Sequence, residues 1–509
     1  MASDFISQFG GKLYLEFGGK LFDDYHASRV LPGFEPDSKF RMLKSIADDV
    51  EVIIAINANH IEKNKARGDL GITYDEDVLR LVDLFRGNGF AVAAVVITQY
   101  AGQPAADVFR NRLNALGIPA KLHYPIEGYP HDVDLIVSDD GYGKNEFVET
   151  TRPLVVVTAP GPGSGKLATC LSQLYHEHKH GTAAGYAKFE TFPVWNLPLT
   201  HPVNIAYEAA TADLNDVNMI DPFHLEAYGE TTVNYNRDVE IFPVLNAIFE
   251  KIQGTSPYQS PTDMGVNMAG NCIVDDEACR AASKMEILRR YYTARVELVQ
   301  GKGREETVRK LELVMRQGDV TPEICPAIAA ALDKAEATGA PAGAMVLPDG
   351  QVVTGKTSGT LGAAAALLLN ALKALGHIDD QFELISKQVL EPVCHLKTTY
   401  LDHRNPRLHT DEVLLTLFIS AKFGLDEATA GYIYSGFYAS IYLLALVGGI
   451  IADKTKNYKG TIMCGLVVMS LGYLLIAIPT PTPVPSLPLY LTLTCLGLLV
   501  IAFGNGLFK

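Results

Sequence analysis

The sequence predicts an α/β protein: a mainly parallel sheet with a helical insert and an incomplete second α/β part, followed by three transmembrane helices. Three observations lead there. Up to about residue 238, β-branched runs alternate with helical or turn-rich stretches, the pattern of parallel strands joined by crossovers. From Val239 to Lys334 the apolar spacing turns helical. Beyond Gly431 come three nearly uncharged apolar runs, each of about 20 residues and so able to cross about 30 Å of hydrocarbon. The corresponding divisions are 1–238, 239–340, 341–422 and 423–509.

From Phe5 to Phe34, short apolar runs broken by Gly10-Gly11, Gly18-Gly19 and Pro32-Gly33 predict short strands and turns. The polar cluster Asp23-Asp24-Tyr25-His26-Ala27-Ser28-Arg29 either meets a ligand or caps its own turns. Strands are expected at Val50–Ile56, Phe90–Thr98, Val133–Val137 and Leu154–Thr158, with helices over Asp75–Arg86 and Ala105–Leu116. In an open parallel sheet the loops after the strands gather on one edge, where ligands bind. That edge would hold Asn57, Asn59 and His60, then Thr98 and Gln99, then the Ser138 to Asn145 segment, and finally Gly161 to Lys166.

The last of these is the sharpest chemical feature. Leu154 to Thr158 breaks into Ala159-Pro160-Gly161-Pro162-Gly163-Ser164-Gly165-Lys166, and a helix is expected from Leu167 to His180, ended by Gly181. Gly161, Gly163, Ser164, Gly165 and Lys166 therefore form a candidate cradle for a nucleotide or other phosphate ligand, with backbone N–H groups at a helix start and a lysine beside them. The nucleotide-hydrolysing motif needs a hydroxyl after its lysine to ligate magnesium, and Leu167 stands there. A plain anion cradle, a magnesium–nucleotide site and an unliganded glycine turn remain the three readings. Asp139 or Asp140 could bring a cation to the phosphate or lie in a solvated turn. His176, His178 and His180 resemble a metal cluster less than a basic final helical turn, and Cys272 and Cys279 read as ordinary thiols, so no metal is assigned. No nucleophile with a partnering base is legible.

Ala184 to Asp238 is rich in Asn, His, Asp and aromatics: Phe189-Glu190-Thr191-Phe192-Pro193-Val194-Trp195-Asn196, His201-Pro202-Val203-Asn204, Asp221-Pro222-Phe223-His224 and Asn234-Tyr235-Asn236-Arg237-Asp238. Such loops line sites or cap the elements they join. Val346 to Gly355 reads as a hairpin around Asp349-Gly350. It leads to Lys356, Thr357 and Ser358, a second candidate anion site before the helix Leu361–Leu375, with a simple helix cap as the competing explanation.

Composition bounds the partners. Over 509 residues, 43 Lys and Arg stand against 58 Asp and Glu, a formal charge of −15, and no basic run counters it, so nucleic acid is excluded as a general partner. Seven unpaired-looking cysteines and the lack of a secretory signal place residues 1–422 in the cytoplasm; a homo-oligomer is compatible with this.

Ala159 to Lys166, Asp221-Pro-Phe-His-Leu-Glu226 and Asn234-Tyr-Asn-Arg-Asp238, with Gly355 to Lys373, resemble uncharacterised protein family 0371, also known as domain of unknown function 1846. The resemblance runs from Phe5 to about Lys422. It implies a cytosolic α/β protein with a helical insert and a smaller C-terminal α/β part, which family members normally carry on well past the equivalent of Phe423 and which this chain is not expected to finish, and it supplies no reaction.

After Lys422 the composition changes. Gly431–Ala452, Gly460–Ile478 and Pro488–Phe508 are the three span candidates, Gly436, Gly448, Gly449, Gly465 and Gly472 permit close helix packing, and Thr480 to Pro485 is a stiff loop. Phe423 to Ala430, Gly448-Gly449-Ile-Ile-Ala-Asp453-Lys454 and Gly504 to Lys509 resemble the second to fourth spans of the proton-coupled oligopeptide transporters of the major facilitator superfamily. Without two complete halves no alternating-access pore forms, so no transport is expected, although a peptide–proton symporter is the alternative function. Lys454, Lys456 and Lys459 would place the preceding region outside the cell, against its thiols and missing signal. A recombined, truncated or mis-assembled reading frame, with a non-functional transporter fragment, reconciles these features. The expected partners are thus a small phosphorylated molecule and, through residues 431–508, a lipid bilayer.

Overall fold

Leu154–Thr158 (β5) is buried at every position, as expected of five apolar or β-branched residues covered on both faces. Around it, β1 (Leu13–Phe17), β2 (Val50–Asn57), β3 (Ala91–Thr98), β4 (Ala120–Leu122) and β6 (Gly185–Phe189) form one sheet. Two short strands, β7 (Asn218–Ile220) and β8 (Val233–Tyr235), pair separately, and β9 (Gly265–Val266) closes the large sheet in the order β4-β3-β2-β5-β1-β6-β9. Every pairing within the large sheet is parallel.

These strands belong to the first of two compact units, Met1–Thr321 and Pro322–Lys509. The computed structural model describes all residues except 1–5, 7–8, 19, 69, 215, 268, 401–402, 426, 456–457, 478–485 and 509. Alternate residues of β5 enter different cores. Leu154 and Val156 pack with Tyr74, Val78, Phe85, Phe109 and Leu113 of the helices Tyr74–Gly87 and Pro104–Ala115. Val155 and Val157 pack with Cys170, Leu174, Phe242 and Phe249 of Lys166–Lys179 and Asn236–Gln253. Helices therefore cover both faces of a doubly wound sheet.

The sequence-predicted strand Val133–Val137 is a short helix, Val133–Ile136. The Asp132 carboxylate accepts from the Leu135 amide at 3.0 Å and caps that turn, while the sheet position beside β3 is filled by Ala120–Leu122. The polar cluster at Asp23 to Arg29 is also helical: Asp24 caps Tyr25–Val30 and pairs with Lys39 at 2.5 Å.

In the second unit, Ala342–Val346 (β10) and Val352–Lys356 (β11) form the expected hairpin. The helix Ala363–Leu375 lies so close that a Cβ on Gly355 would meet the Leu367 backbone at 2.2 Å. Three long helices end the chain: Glu427–Thr455, Tyr458–Ala477 and Leu487–Phe508. Among the described residues, two of them, over Gly460–Ala477 and Leu487–Leu507, are long and apolar enough to cross a membrane, in place of the three expected. Gly472 and Gly497 sit where the last two helices approach closely, each with the other's carbonyl 2.8 Å from where a Cβ would stand. Gly436 and Gly449 have nothing within 4 Å of that position. The Thr480 to Pro485 loop and Lys456 lie outside the described residues.

Candidate functional site

The sheet reverses its winding between β2 and β5, because successive crossovers carry β3 and β4 to one side while β5, β1 and β6 fill the other. Loops leaving the C-terminal ends of strands at such a point diverge and open a crevice. Here the crevice is a cleft of about 1620 Å³. Its wall includes Gly161 to Leu167 after β5, Gly18 and Lys20 after β1, and Glu190 to Phe192 after β6.

The cradle is built by its neighbours. Gly163 and Gly165 have φ of +74° and +86°, in the left-handed region, and Gly165 is the residue before the helix Lys166–Lys179. A Cβ at Gly161 would stand 2.3 Å from the Tyr74 hydroxyl, and one at Gly165 would stand 2.8 Å from the Thr98 hydroxyl. Neighbouring side chains hold the loop carbonyls: Asn57 Nδ2 donates to the Gly163 oxygen at 3.2 Å and Thr98 Oγ1 to the Ser164 oxygen at 2.8 Å. Ser164 Oγ, which is buried, turns back to the Gly161 oxygen at 2.8 Å. Among the described residues, no group accepts from the amides of Gly161, Gly163, Ser164 or Gly165. With its carbonyls tied back and its N–H groups free, this loop is polarised toward an anion.

Lys166 lies beside it, 3.7 Å from Glu16 Oε1 on β1. His60 also approaches the loop, but burial, followed by Lys65 and Lys63, lowers its pKa to about 4. The imidazole is neutral at physiological pH, so the positive charge comes from Lys166. Leu167 packs among apolar residues, and the Thr169 hydroxyl donates to the Gly165 oxygen at 2.9 Å.

Other expected site residues lie elsewhere. Asp139 accepts from Tyr175 and Lys179 at 2.7 and 2.6 Å, and neither it nor Asp140 lines the cleft. Its hydrogen bond to Lys179 lowers its pKa. Asn145 donates to Ser172 on the cradle helix, so the segment before it runs along that helix. His176 and His180 pack against the Phe147 ring. Among the described residues, no group of three or more His, Cys, Asp and Glu is arranged to hold a metal ion. Lys356, Thr357 and Ser358 belong to the other unit, where the Thr357 amide donates to the Pro341 oxygen and Ser358 Oγ accepts from the Thr360 and Leu361 amides. Those donors are used by the turn itself.

A second cluster lies on the same cleft. Lys188, near the end of β6, donates to Asp238 Oδ2 at 2.6 Å, stands 3.0 Å from Glu190 Oε1, and bonds the Tyr235 hydroxyl. Burial lifts the Glu190 pKa to about 7, with Asp238 adding to the effect and Lys188 opposing it. Burial alone would depress Lys188, but Asp238 and Glu190 outweigh it and keep the ammonium charged. The Asn, Asp and aromatic enrichment pointed to the stretches holding Glu190 and Asp238; Lys188, inside a strand without polar alternation, gave no such signal. His201 and Asp221 are helix caps: His201 accepts from the Val203 amide, and Asp221 accepts from Phe223 and His224.

Comparison with known proteins assigns the lineage. The family described as domain of unknown function DUF1846, N-terminal, matches residues 2–319, and its C-terminal counterpart matches residues 323–431. The chain belongs to the DUF1846 family. Its relatives include a UPF0371 protein of Streptococcus sanguinis (strain SK36), 59% identical over 425 residues that make up 84% of this chain and 86% of the relative. UPF0371 proteins of Streptococcus thermophilus (strain ATCC BAA-491 / LMD-9) and Streptococcus pneumoniae (strain Hungary19A-6) match with the same identity and coverage. The family match extends past Lys422 to residue 431, into the helix Glu427–Thr455, so the family's C-terminal part reaches further than the resemblance read from sequence.

Proposed function

We propose that this DUF1846 protein binds a phosphorylated small molecule, a nucleotide or a sugar phosphate, at Gly161 to Lys166. The observation that carries the reading is the set of unpaired amides at Gly161, Gly163, Ser164 and Gly165, opening on the cleft beside Lys166. Their N–H groups and the ammonium neutralise a phosphate, as at other helix starts. Leu167 and the inward-bonded Thr169 supply no hydroxyl for magnesium, which favours anion binding over nucleotide hydrolysis.

The test is the melting temperature of the full-length chain against a panel of nucleotides and sugar phosphates. A ligand present at about 100 times its Kd stabilises the folded state by about 2.7 kcal/mol. Lys166→Ala is expected to remove the shift; no shift across the panel would overturn the reading.

A second reading concerns residues 431–508 and is supported by the two long apolar helices. It makes the tail a bilayer anchor, and the finer likeness to an oligopeptide transporter fragment rests on its sequence alone.

A further inference from the structure

We infer that Lys188, Glu190 and Asp238 form a proton-transfer centre that enolises a phosphorylated hydroxy-carbonyl compound, an aldose or ketose phosphate, whose phosphate lies in the cradle. The inference rests on the phosphate-binding reading and adds a substrate class and a reaction to it.

The cluster holds one more acid than an ion pair needs. Asp238 already balances Lys188 at 2.6 Å, yet Glu190 is placed 3.0 Å from the same ammonium. All three side chains are largely buried, with 15%, 17% and 20% exposure for Lys188, Glu190 and Asp238. A surplus carboxylate in such a place costs stability and is characteristic of a reacting group. Glu16 and Lys188 on the strands, Asp238 and Tyr235 at the start of Asn236–Gln253, and Tyr207 surround it with charge and titratable groups. The backbone of Gly18 is packed against its carboxylate. Its pKa of about 7 suits a base that must both take and return a proton at neutral pH.

An independent observation points to a ligand. Thr191, the next residue, is 6% exposed and lines the cleft, and among the described residues its hydroxyl has no hydrogen-bond partner. A substrate hydroxyl or carbonyl would satisfy it.

The spacing fits a short phosphorylated chain. The cradle follows β5 and the cluster follows β6, with β1 between them. Two strand spacings of about 4.8 Å separate them by about 10 Å. At about 1.5 Å per carbon–carbon bond, that is the reach of a phosphate ester on roughly three to six carbons.

Base and donor at one point match the needs of a carbon acid. Glu190 takes the proton from the carbon beside the carbonyl, the C–H electron pair becomes the carbon–carbon double bond, and the carbonyl π pair moves to oxygen as an enolate. Lys188 donates to that oxygen. Protonation removes the negative charge of Glu190, which loosens its hold on Lys188 and releases an N–H to the enolate. Return of the proton to the same carbon from its other face gives an epimer; its delivery to the former carbonyl carbon, with the neighbouring hydroxyl proton passing to the enolate oxygen as that hydroxyl becomes the new carbonyl, gives the isomer, with no net oxidation.

The experiment incubates the full-length chain in D2O with dihydroxyacetone phosphate and the ribulose and fructose monophosphates, and follows loss of the proton signal beside the carbonyl by NMR. Exchange is expected, with a rate that rises with pH and levels off above about 7. Glu190→Gln should slow it by about 100-fold or more while leaving the melting-temperature shift with the same compound, which also shows that the variant is folded. Lys166→Ala should lose the shift and raise the concentration needed for exchange. Compounds that shift the melting temperature without exchanging, or exchange undiminished in Glu190→Gln, would overturn the enolisation centre and leave the cradle standing. A panel without any shift would overturn both.

Discussion

Glu190 links catalysis to stability at the level of a single group. Its folded pKa is about 7 against an ordinary 4.5, so between those values the folded chain holds a proton that the unfolded chain has lost. The folded state then binds more protons, and its stability falls as pH rises through that window. The expected result is a melting temperature that declines from pH 5 to pH 8 in the native chain and declines less in Glu190→Gln. At this scale the turn at Gly161 to Lys166 was legible from sequence, because glycines after a β-branched run let the backbone enter the left-handed region that Gly163 and Gly165 adopt. The proton-transfer cluster was only half legible. Its loops stood out by composition, but Lys188 meets Asp238 across 50 positions of chain, and only the packing of Asn236–Gln253 against β6 brings them together.

The elements show where local pattern suffices. Strands at β2, β3 and β5 were readable because long apolar runs buried on both faces have few alternatives. β4 and β6 are short, and Gly185-Tyr-Ala-Lys-Phe189 mixes residues that no periodicity separates from a loop. Val133–Val137 failed for a different reason: the capping aspartate Asp132 made a helix from a strand-like composition. Capping also explains the distinctive Asp221-Pro-Phe-His motif. Asp221 is fully buried, accepts from two amides at the start of Pro222–Tyr228, and takes the Thr262 hydroxyl at 2.6 Å. Asp221→Ala is expected to cost about 2–3 kcal/mol in urea denaturation, the sum of a lost cap and an orphaned buried hydroxyl. Wild-type-like stability would show that the motif serves something other than the fold.

For the whole molecule, the two compact units raise separate questions. The first holds the cleft; the second ends in helices whose apolar surfaces include Leu443, Leu446, Leu466, Leu474 and Leu499, all exposed. Exposed apolar area on this scale needs lipid, detergent or another protein surface. The anchor reading predicts that the full-length chain stays with the membrane fraction under alkaline extraction and is released by detergent. Recovery in the alkaline supernatant would refute it. Length and composition made these helices visible in the sequence, whereas the extent of the family match past Lys422 was not, because an apolar run carries little family-specific pattern.

The position of β1 bears on how the molecule is made. Its first residue pairs with Leu154 on one side and Gly185 on the other, so the strand synthesised first is seated between two of the latest strands of its sheet. During translation at about 5–20 residues per second, β1 waits on the order of ten seconds for β5 to emerge, and longer for β6. Its apolar residues stay unpaired through that interval, and so distant a pairing carries a large loop-closure cost. Glu16, which touches Lys166 and takes the Tyr186 hydroxyl at 2.9 Å, arrives on this same strand. The wall between cradle and proton-transfer cluster is therefore assembled late, and a nascent chain carries neither until its central strand has found its slot.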